Sequence, residues 1–253
     1  MISRRAILEQ WANAVGVACS LTSVMPELLR GSGAESSRLG VVILLGPPGA
    51  GKSEQSRRLA AHHMVPIVST GDLLRDHVRP GTKLGFQADA YMKAGQLVPD
   101  SLMSPILEER VEHPDCKSGF ILDGYPPTLA QVESLDPLLK LRRLPSHVFL
   151  LEVPTERLMK LLTGRRICPR CNRTYNIYFQ PPKKENLCDA DETPLVQRAD
   201  DKEEVIRRRL ETYQKEIPPV IEYYAREGRL VRIRGDRPPG SVGADIEAKL
   251  ASR

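Results

Sequence analysis

Residues Gly46 to Ser53 read Gly-Pro-Pro-Gly-Ala-Gly-Lys-Ser, directly after the apolar run Val41-Val42-Ile43-Leu44-Leu45 and directly before the helix-like stretch Glu54-Gln55-Ser56-Arg57-Arg58-Leu59-Ala60. Strand, glycine-rich turn and helix N-terminus follow in that order, the context in which a G-x-x-x-x-G-K-[ST] match acts as an anion cradle. The residue types suit the chemistry. Glycines let backbone N–H groups curl around phosphate oxygens with no Cβ in the way, and the helix N-terminus adds its positive dipole. Gly49, Ala50 and Gly51 would supply amides, and Lys52 the charge that answers a transferred phosphoryl group. Ser53 and Glu54 open the helix, with Ser53 near a magnesium ion.

From Leu39 onward, short β-rich runs alternate with helical patterns. Val41 to Leu45, Pro66 to Ser69, Gly119 to Leu122, His147 to Glu152 and Leu230 to Ile233 predict buried strands. Between them, Glu54 to His63, Gly71 to Val78, Leu84 to Ala94, Ser101 to Val111, Thr128 to Leu141 and Thr155 to Leu162 predict helices. Such a succession implies an α/β fold of the P-loop NTPase type, a doubly wound parallel sheet of five strands flanked by helices. Ligands in it bind beyond the carboxyl ends of the strands.

With 41% hydrophobic and 27% charged residues the composition is that of a soluble globular protein, and no apolar stretch approaches the ~20 residues that cross a bilayer. The net charge of +5 is carried by scattered arginines, so a polyanionic small molecule accounts for it as well as a nucleic acid does. Residues 1–38 are rich in Ser, Ala and Gly and read as an N-terminal extension, flexible or a short helix, ahead of one domain at 39–253. An export signal or an organelle transit peptide is the alternative, against which Glu9, Gln10 and Asn13 interrupt the apolar segment.

From Gly164 to Asp201 the apolar periodicity is lost, and prolines, aromatics and cysteines appear. A module with so little core needs a staple. Cys168-Pro169-Arg170-Cys171 and, after sixteen intervening residues, Cys188-Asp189-Ala190-Asp191 give C-x2-C and C-x2-D, the spacing of a zinc ribbon with a carboxylate as fourth ligand. Asp191 fits that position better than Asp189. A disulfide would leave one of the three cysteines unpaired, and buried inert thiols are the remaining reading. Cys19 and Cys116 belong to no spacing.

The phosphate loop is joined, in order, by Ser69-Thr70-Gly71-Asp72-Leu73-Leu74-Arg75, Gly95-Gln96-Leu97-Val98-Pro99-Asp100, Gly119-Phe120-Ile121-Leu122-Asp123-Gly124-Tyr125-Pro126, Gly164-Arg165-Arg166 and Arg198-Ala199-Asp200-Asp201. Over about residues 40 to 250 the chain resembles an adenylate kinase of the long-lid type. The resemblance implies reversible Mg²⁺-dependent transfer from ATP to AMP giving two ADP, in a cytoplasmic monomer with neither nucleic acid nor membrane as partner. It implies a monophosphate-binding subdomain at 69–98 and a lid with structural Zn²⁺ on Cys168, Cys171, Cys188 and Asp191 at 164–201. Thr70, Arg75, Gln96, Val98, Gly124 and Gln131 would line the AMP site, Arg75 gripping phosphate and Gln131 reading the adenine edge. Lys52 and the loop would hold ATP, Arg165, Arg198 and Arg209 would close over the reacting phosphoryls, and Asp123 would organise magnesium through water. Thr174 and Tyr175 fall where the lid meets the ATP adenosine, and Arg237 where backbone meets adenine.

Three positions depart from the family's pattern. Pro127 replaces an arginine for the AMP phosphate, Leu161 a lid-hinge arginine for ATP, and Glu54 a threonine after the loop, which puts a carboxylate beside an anion site. A charge-assisted contact is worth ~1.5–3 kcal/mol, so turnover could suffer while binding survives. A catalytically impaired adenylate-binding paralogue and a kinase for another nucleoside monophosphate are therefore the competing readings. Arg142 or Arg143 is the sequence-level candidate to replace the charge missing at Pro127. A nucleic-acid-binding ribbon is disfavoured because the cysteines sit between kinase motifs.

Overall fold

The computed structural model describes residues 39–252. The expectations for residues 1–38, and Cys19 with them, lie outside the described residues. Five strands form one wholly parallel sheet: β1 (Gly40–Leu45), β2 (Ile67–Ser69), β3 (Gly119–Asp123), β4 (Ser146–Glu152) and, last in the chain, Leu230–Arg234. Two three-residue segments of the cysteine module, β5 (Arg165–Ile167) and β6 (Thr174–Asn176), pair antiparallel as a separate small sheet, so the last strand is β7. The main sheet runs β2-β3-β1-β4-β7.

The parallel sheet is covered on both faces, which is why β1 is apolar at every position after Gly40. Alternate residues feed two cores. Val41, Ile43, Leu45, Phe120, Leu122, Val148 and Leu150 pack on one side with α4 (Asp100–Glu112) and α5 (Leu129–Leu141). Val42, Leu44, Ile121, Phe149 and Leu151 pack on the other with α1 (Lys52–His63) and α6 (Thr155–Thr163). Between β2 and α4 the chain forms α2 (Thr70–Val78) and α3 (Lys83–Ala94), each N-capped by a side-chain hydroxyl, Ser69 for α2 and Thr82 for α3.

Two helices go beyond the sequence-level expectation. α7 (Glu203–Arg226) contains Pro218 and Pro219, residues that argue against a helix interior, yet both are exposed. Its first half places Ile206 and Leu210 in one core, and its second places Ile217, Val220 and Tyr224 in the other. α8 (Pro239–Ala251) starts with proline at its first position and closes on α1 through Val242 and Ile246.

Register brings the ends together. Leu44 pairs with Asp123 on one side and Phe149 on the other, so the turns after β1, β3 and β4 leave the same carboxyl edge. Thr70 follows β2 at that edge, and Gly235 and Arg237 follow β7.

Candidate active site

The turn after β1 ends at Gly51, which stands before α1 at φ 89° with no side chain capping the helix. Among the described residues a Cβ there would meet nothing within 4 Å beyond its chain neighbours, which leaves space beside the helix N-terminus. Lys52 Nζ donates to the carbonyls of Gly46 (2.7 Å) and Pro47 (2.9 Å), folding the side chain back over its own loop. Desolvation there pushes its amine down to about 8, against the pull of Asp123 and with the help of Arg209 and Arg165. Four of the predicted charges thus share one field.

The arginines arrive from α2, from the 164–201 segment and from α7, and three of the four are held by acids. Asp201, fully buried, takes Arg165 bidentately, with Nε at 2.7 Å. Arg209 Nη1 donates to the Asp200 carbonyl (3.1 Å) and carboxylate (2.9 Å). Burial would raise Asp200, but Arg209, Arg165, Arg75 and Arg198 together hold its carboxyl below the usual range. From α2, Arg75 donates to Asp72 at 2.6 Å and lies along Gly71, where a Cβ would stand 3.0 Å from its guanidinium. Arg198 differs. Among the described residues its side chain has no hydrogen bond or ion pair, and desolvation with neighbouring Arg75 and Arg165 pushes it down to about 10. A guanidinium left unpaired among like charges is poised for an anion.

On the β2–β3 side, Thr70 Oγ1 donates to the Gly124 carbonyl at 3.3 Å. Val98 and Gln131 are buried and Gln96 is exposed. Gln131 Nε2 donates to Asp100, which faces the carboxylate with the NH₂ and leaves Oε1 without a partner among the described residues. The segment before Gln96 leans on α7, where Arg208 donates to Ala94 O (3.0 Å) and Thr212 to Gly95 O (3.3 Å).

The cysteine module has a core of Cys168, Tyr175, Cys188 and little else. Ligand atoms of Cys168, Cys171, Cys188 and Asp191 all lie within 4.8 Å of one another. Cys171 and Cys188 sulfurs are 3.6 Å apart, and Cys168 Sγ is 3.5 Å from Asp191 Oδ1. A tetrahedron with Zn–S of about 2.3 Å and Zn–O of about 2.0 Å has edges of about 3.8 Å and 3.5 Å, so this donor set fits zinc in chemistry and size. The amide of Thr193 holds the Asp191 carboxyl down at about 2. Asp189 instead accepts from the Lys183 amide at 2.8 Å.

Other predicted positions fall differently. Tyr175 is buried, its hydroxyl accepting from Asp189 N (2.8 Å) and 3.4 Å from Cys188 Sγ, so its side chain packs the module while neighbouring Thr174 is exposed. Arg237 bonds Asp245 through its side chain. Glu54 is answered by Arg57 (2.9 Å) and Arg58 (3.0 Å) one turn on, which, against the desolvation that would raise it, keep it ionised and already paired. Arg142 and Arg143 sit past the end of α5 opposite to Gln131, and Arg142 donates to Val111 O. Neither reaches Pro127; that expectation fails because the 13 residues of α5, about 20 Å of helix, intervene. Asp72, Asp100, Asp200 and Asp201 are the members missed as site residues, the only sequence signal being acids beside or near the expected arginines and glutamine.

An uncapped helix N-terminus and a lysine at the carboxyl edge of a parallel sheet, approached by arginines from α2, the 164–201 segment and α7, define the class: a P-loop kinase acting on nucleoside phosphates. The adenylate kinase family profile matches residues 44–229. The chain is 44% identical over 212 residues to an adenylate kinase of Syntrophomonas wolfei (83% of this chain, 99% of that one). It is 48% identical over 213 residues to one of Thermodesulfovibrio yellowstonii (82% and 99%), and 45% over 210 to one of Archaeoglobus fulgidus (83% and 97%). The chain belongs to the adenylate kinase family.

Proposed function

We propose that the chain transfers the terminal phosphoryl of ATP to AMP reversibly, giving two ADP, with Lys52, Arg75, Asp123, Arg165, Arg198 and Arg209 as the catalytic set. The observation that carries this is the field itself: four guanidiniums and one lysine converge with Arg198 unpaired, a charge balance that polyphosphate completes. In this reading the loop amides, Lys52, Ser53 and Asp123 hold MgATP, and magnesium supplies neutralisation of phosphate charge when bound. Arg75 and Arg198 grip the acceptor phosphate, while Thr70, Gln96, Val98, Gly124 and Gln131 surround the acceptor nucleoside. The unpartnered Gln131 Oε1 supports an acceptor base bearing an amino group. Arg165, oriented by Asp201, and Arg209, held on α7 by Asp200, meet the phosphoryls as the 164–201 lid closes over them and excludes water. Thr174, the Tyr175 backbone and the backbone at Arg237 face the donor adenosine. The substrates are ATP and AMP or ADP, and the protein works as a cytoplasmic monomer without nucleic acid. Among the described residues no helix is long and apolar enough to cross a membrane. A coupled assay of ADP formation from ATP and AMP tests the reading, which fails if neither ATP with AMP nor the reverse pair turns over.

The lid would carry one zinc on Cys168, Cys171, Cys188 and Asp191. Because metal binding in a module without a core is folding energy, Cys168→Ser or chelation is expected to lower the thermal midpoint and speed hydrogen exchange across 164–201. Protein made in zinc-replete medium that holds no stoichiometric zinc defeats the assignment.

Pro127 favours a second reading, impaired turnover with ATP binding kept. The acceptor side retains Arg75 and Arg198 but has one guanidinium fewer than the family's pattern. On this reading Pro127→Arg raises kcat/KM for AMP by at least ~10-fold, equivalent to about 1.4 kcal/mol, with little change for ATP. A parent that gains nothing from the arginine shows that Arg75 and Arg198 suffice.

A further inference from the structure

We propose that His62, His63 and Glu247 form a second metal site, for a divalent transition ion of the zinc, cobalt or nickel kind, that staples α1 to α8. His62 and His63 are the last two residues of α1, and Glu247 projects from α8. His62 Nδ1 is 2.8 Å from one Glu247 oxygen and His63 Nε2 is 2.9 Å from the other. Ligand atoms of all three residues lie within 4.8 Å of one another. A metal with ligand distances of about 2.0–2.2 Å needs donors closer than that, about 3–3.5 Å apart. His62, whose side chain is 67% exposed, is freer to turn toward a shared ion than His63 and Glu247, at 25% and 29%.

The two helices are also tied about two turns from the ligands. Gln55 Nε2 donates to Pro239 O at 3.0 Å, and Gly243 makes room for the Gln55 amide, because a Cβ there would stand 3.0 Å from its oxygen. The two helices are therefore pinned through Gln55 as well as through the His–Glu contact. The carboxyl end of α1 adds the negative end of its dipole, which favours a cation. Two imidazoles and one carboxylate select borderline ions over magnesium, so the Mg²⁺ that accompanies ATP does not compete. Exposure leaves the remaining coordination positions to water. Lys52 lies at the opposite end of α1, ~16 Å away, so the site is separate from the phosphate loop and does not depend on the proposed activity.

The test is a calorimetric titration with cobalt(II), in millimolar Mg²⁺, of full-chain protein whose lid metal has been counted beforehand. One further equivalent with micromolar Kd is expected, and its absorption spectrum lacks the thiolate-to-cobalt charge-transfer band that exchange into the lid would give. His63→Ala and Glu247→Gln each weaken that equivalent at least ~10-fold, and His113→Ala leaves it unchanged. Saturating cobalt raises the thermal midpoint of the parent and not of Glu247→Gln. Should either variant fold poorly, the exposed His62→Ala serves in its place. No further equivalent, uptake that shows only the thiolate band, or binding that persists in the His62→Ala/His63→Ala double variant overturns the assignment.

Discussion

Lys52→Ala is expected to lower kcat by about 10²- to 10³-fold while leaving the thermal midpoint unchanged or higher. The two halves of that result have separate causes. Activity falls because, in the proposed mechanism, Lys52 is the charge at the loop that answers the transferred phosphoryl group. Stability does not fall, because the amine is held by carbonyls of a loop and desolvated enough to bring its pKa down to about 8, so folding pays for its charge without packing it into either core. The same depression sets a pH signature for ATP binding. Below about 8 the free lysine is already protonated, and affinity is flat with respect to this group. Above it the free form loses its proton while bound phosphate keeps the amine charged, so one proton is taken up on binding and affinity falls as pH rises, until the raised pKa of the complex is reached. Calorimetry in buffers of different ionisation enthalpy reads that proton directly. A Lys52→Ala protein that binds and turns over ATP like the parent removes the loop from the mechanism, and a parent with no proton uptake near pH 8 to 9 removes the desolvated-amine argument.

The parts of this molecule that were legible in its sequence are those whose information is local. The loop between β1 and α1 is specified by neighbours in the chain, and the five sheet strands are short β-rich runs whose boundaries differ from expectation by a residue or so, such as Ile67 for Pro66 and Asp123 for Leu122. The ligand spacing of the cysteine module is local too, and the structure turns it into a set of distances. Glu54 shows a local signal left unused, since Arg57 and Arg58 at i+3 and i+4 are the helix neighbours that neutralise it. What was hidden depends on tertiary placement. Nothing in the order of residues says that Asp201 is buried under Arg165, 36 positions away, or that Asp100 fixes the face of Gln131. Likewise α7 is masked by Pro218-Pro219 until its exposed face is seen to accommodate them.

Asp201 is where that hidden information has its largest consequence after Lys52. Its carboxylate is fully buried and meets Arg165 through both oxygens, with Arg209 Nη1 3.8 Å from one of them. Removing one partner of a buried pair leaves an uncompensated charge, at a cost of about 3–5 kcal/mol, whereas the net worth of the intact pair is much smaller. Asp201→Ala is therefore expected to lower the thermal midpoint by about 6–20 °C. The midpoint alone would be the signature of any broken buried ion pair. The mechanism demands more, because Arg165 freed from Asp201 no longer enters the phosphoryl field at a fixed angle, and a misplaced charge-bearing donor costs about 10² in rate. At a temperature where the variant remains folded, kcat should fall by at least about 10²-fold with the dissociation constant for ATP changed far less. If kcat holds while the midpoint drops, Asp201 is a structural fastening only and Arg165 finds the phosphoryl group without it.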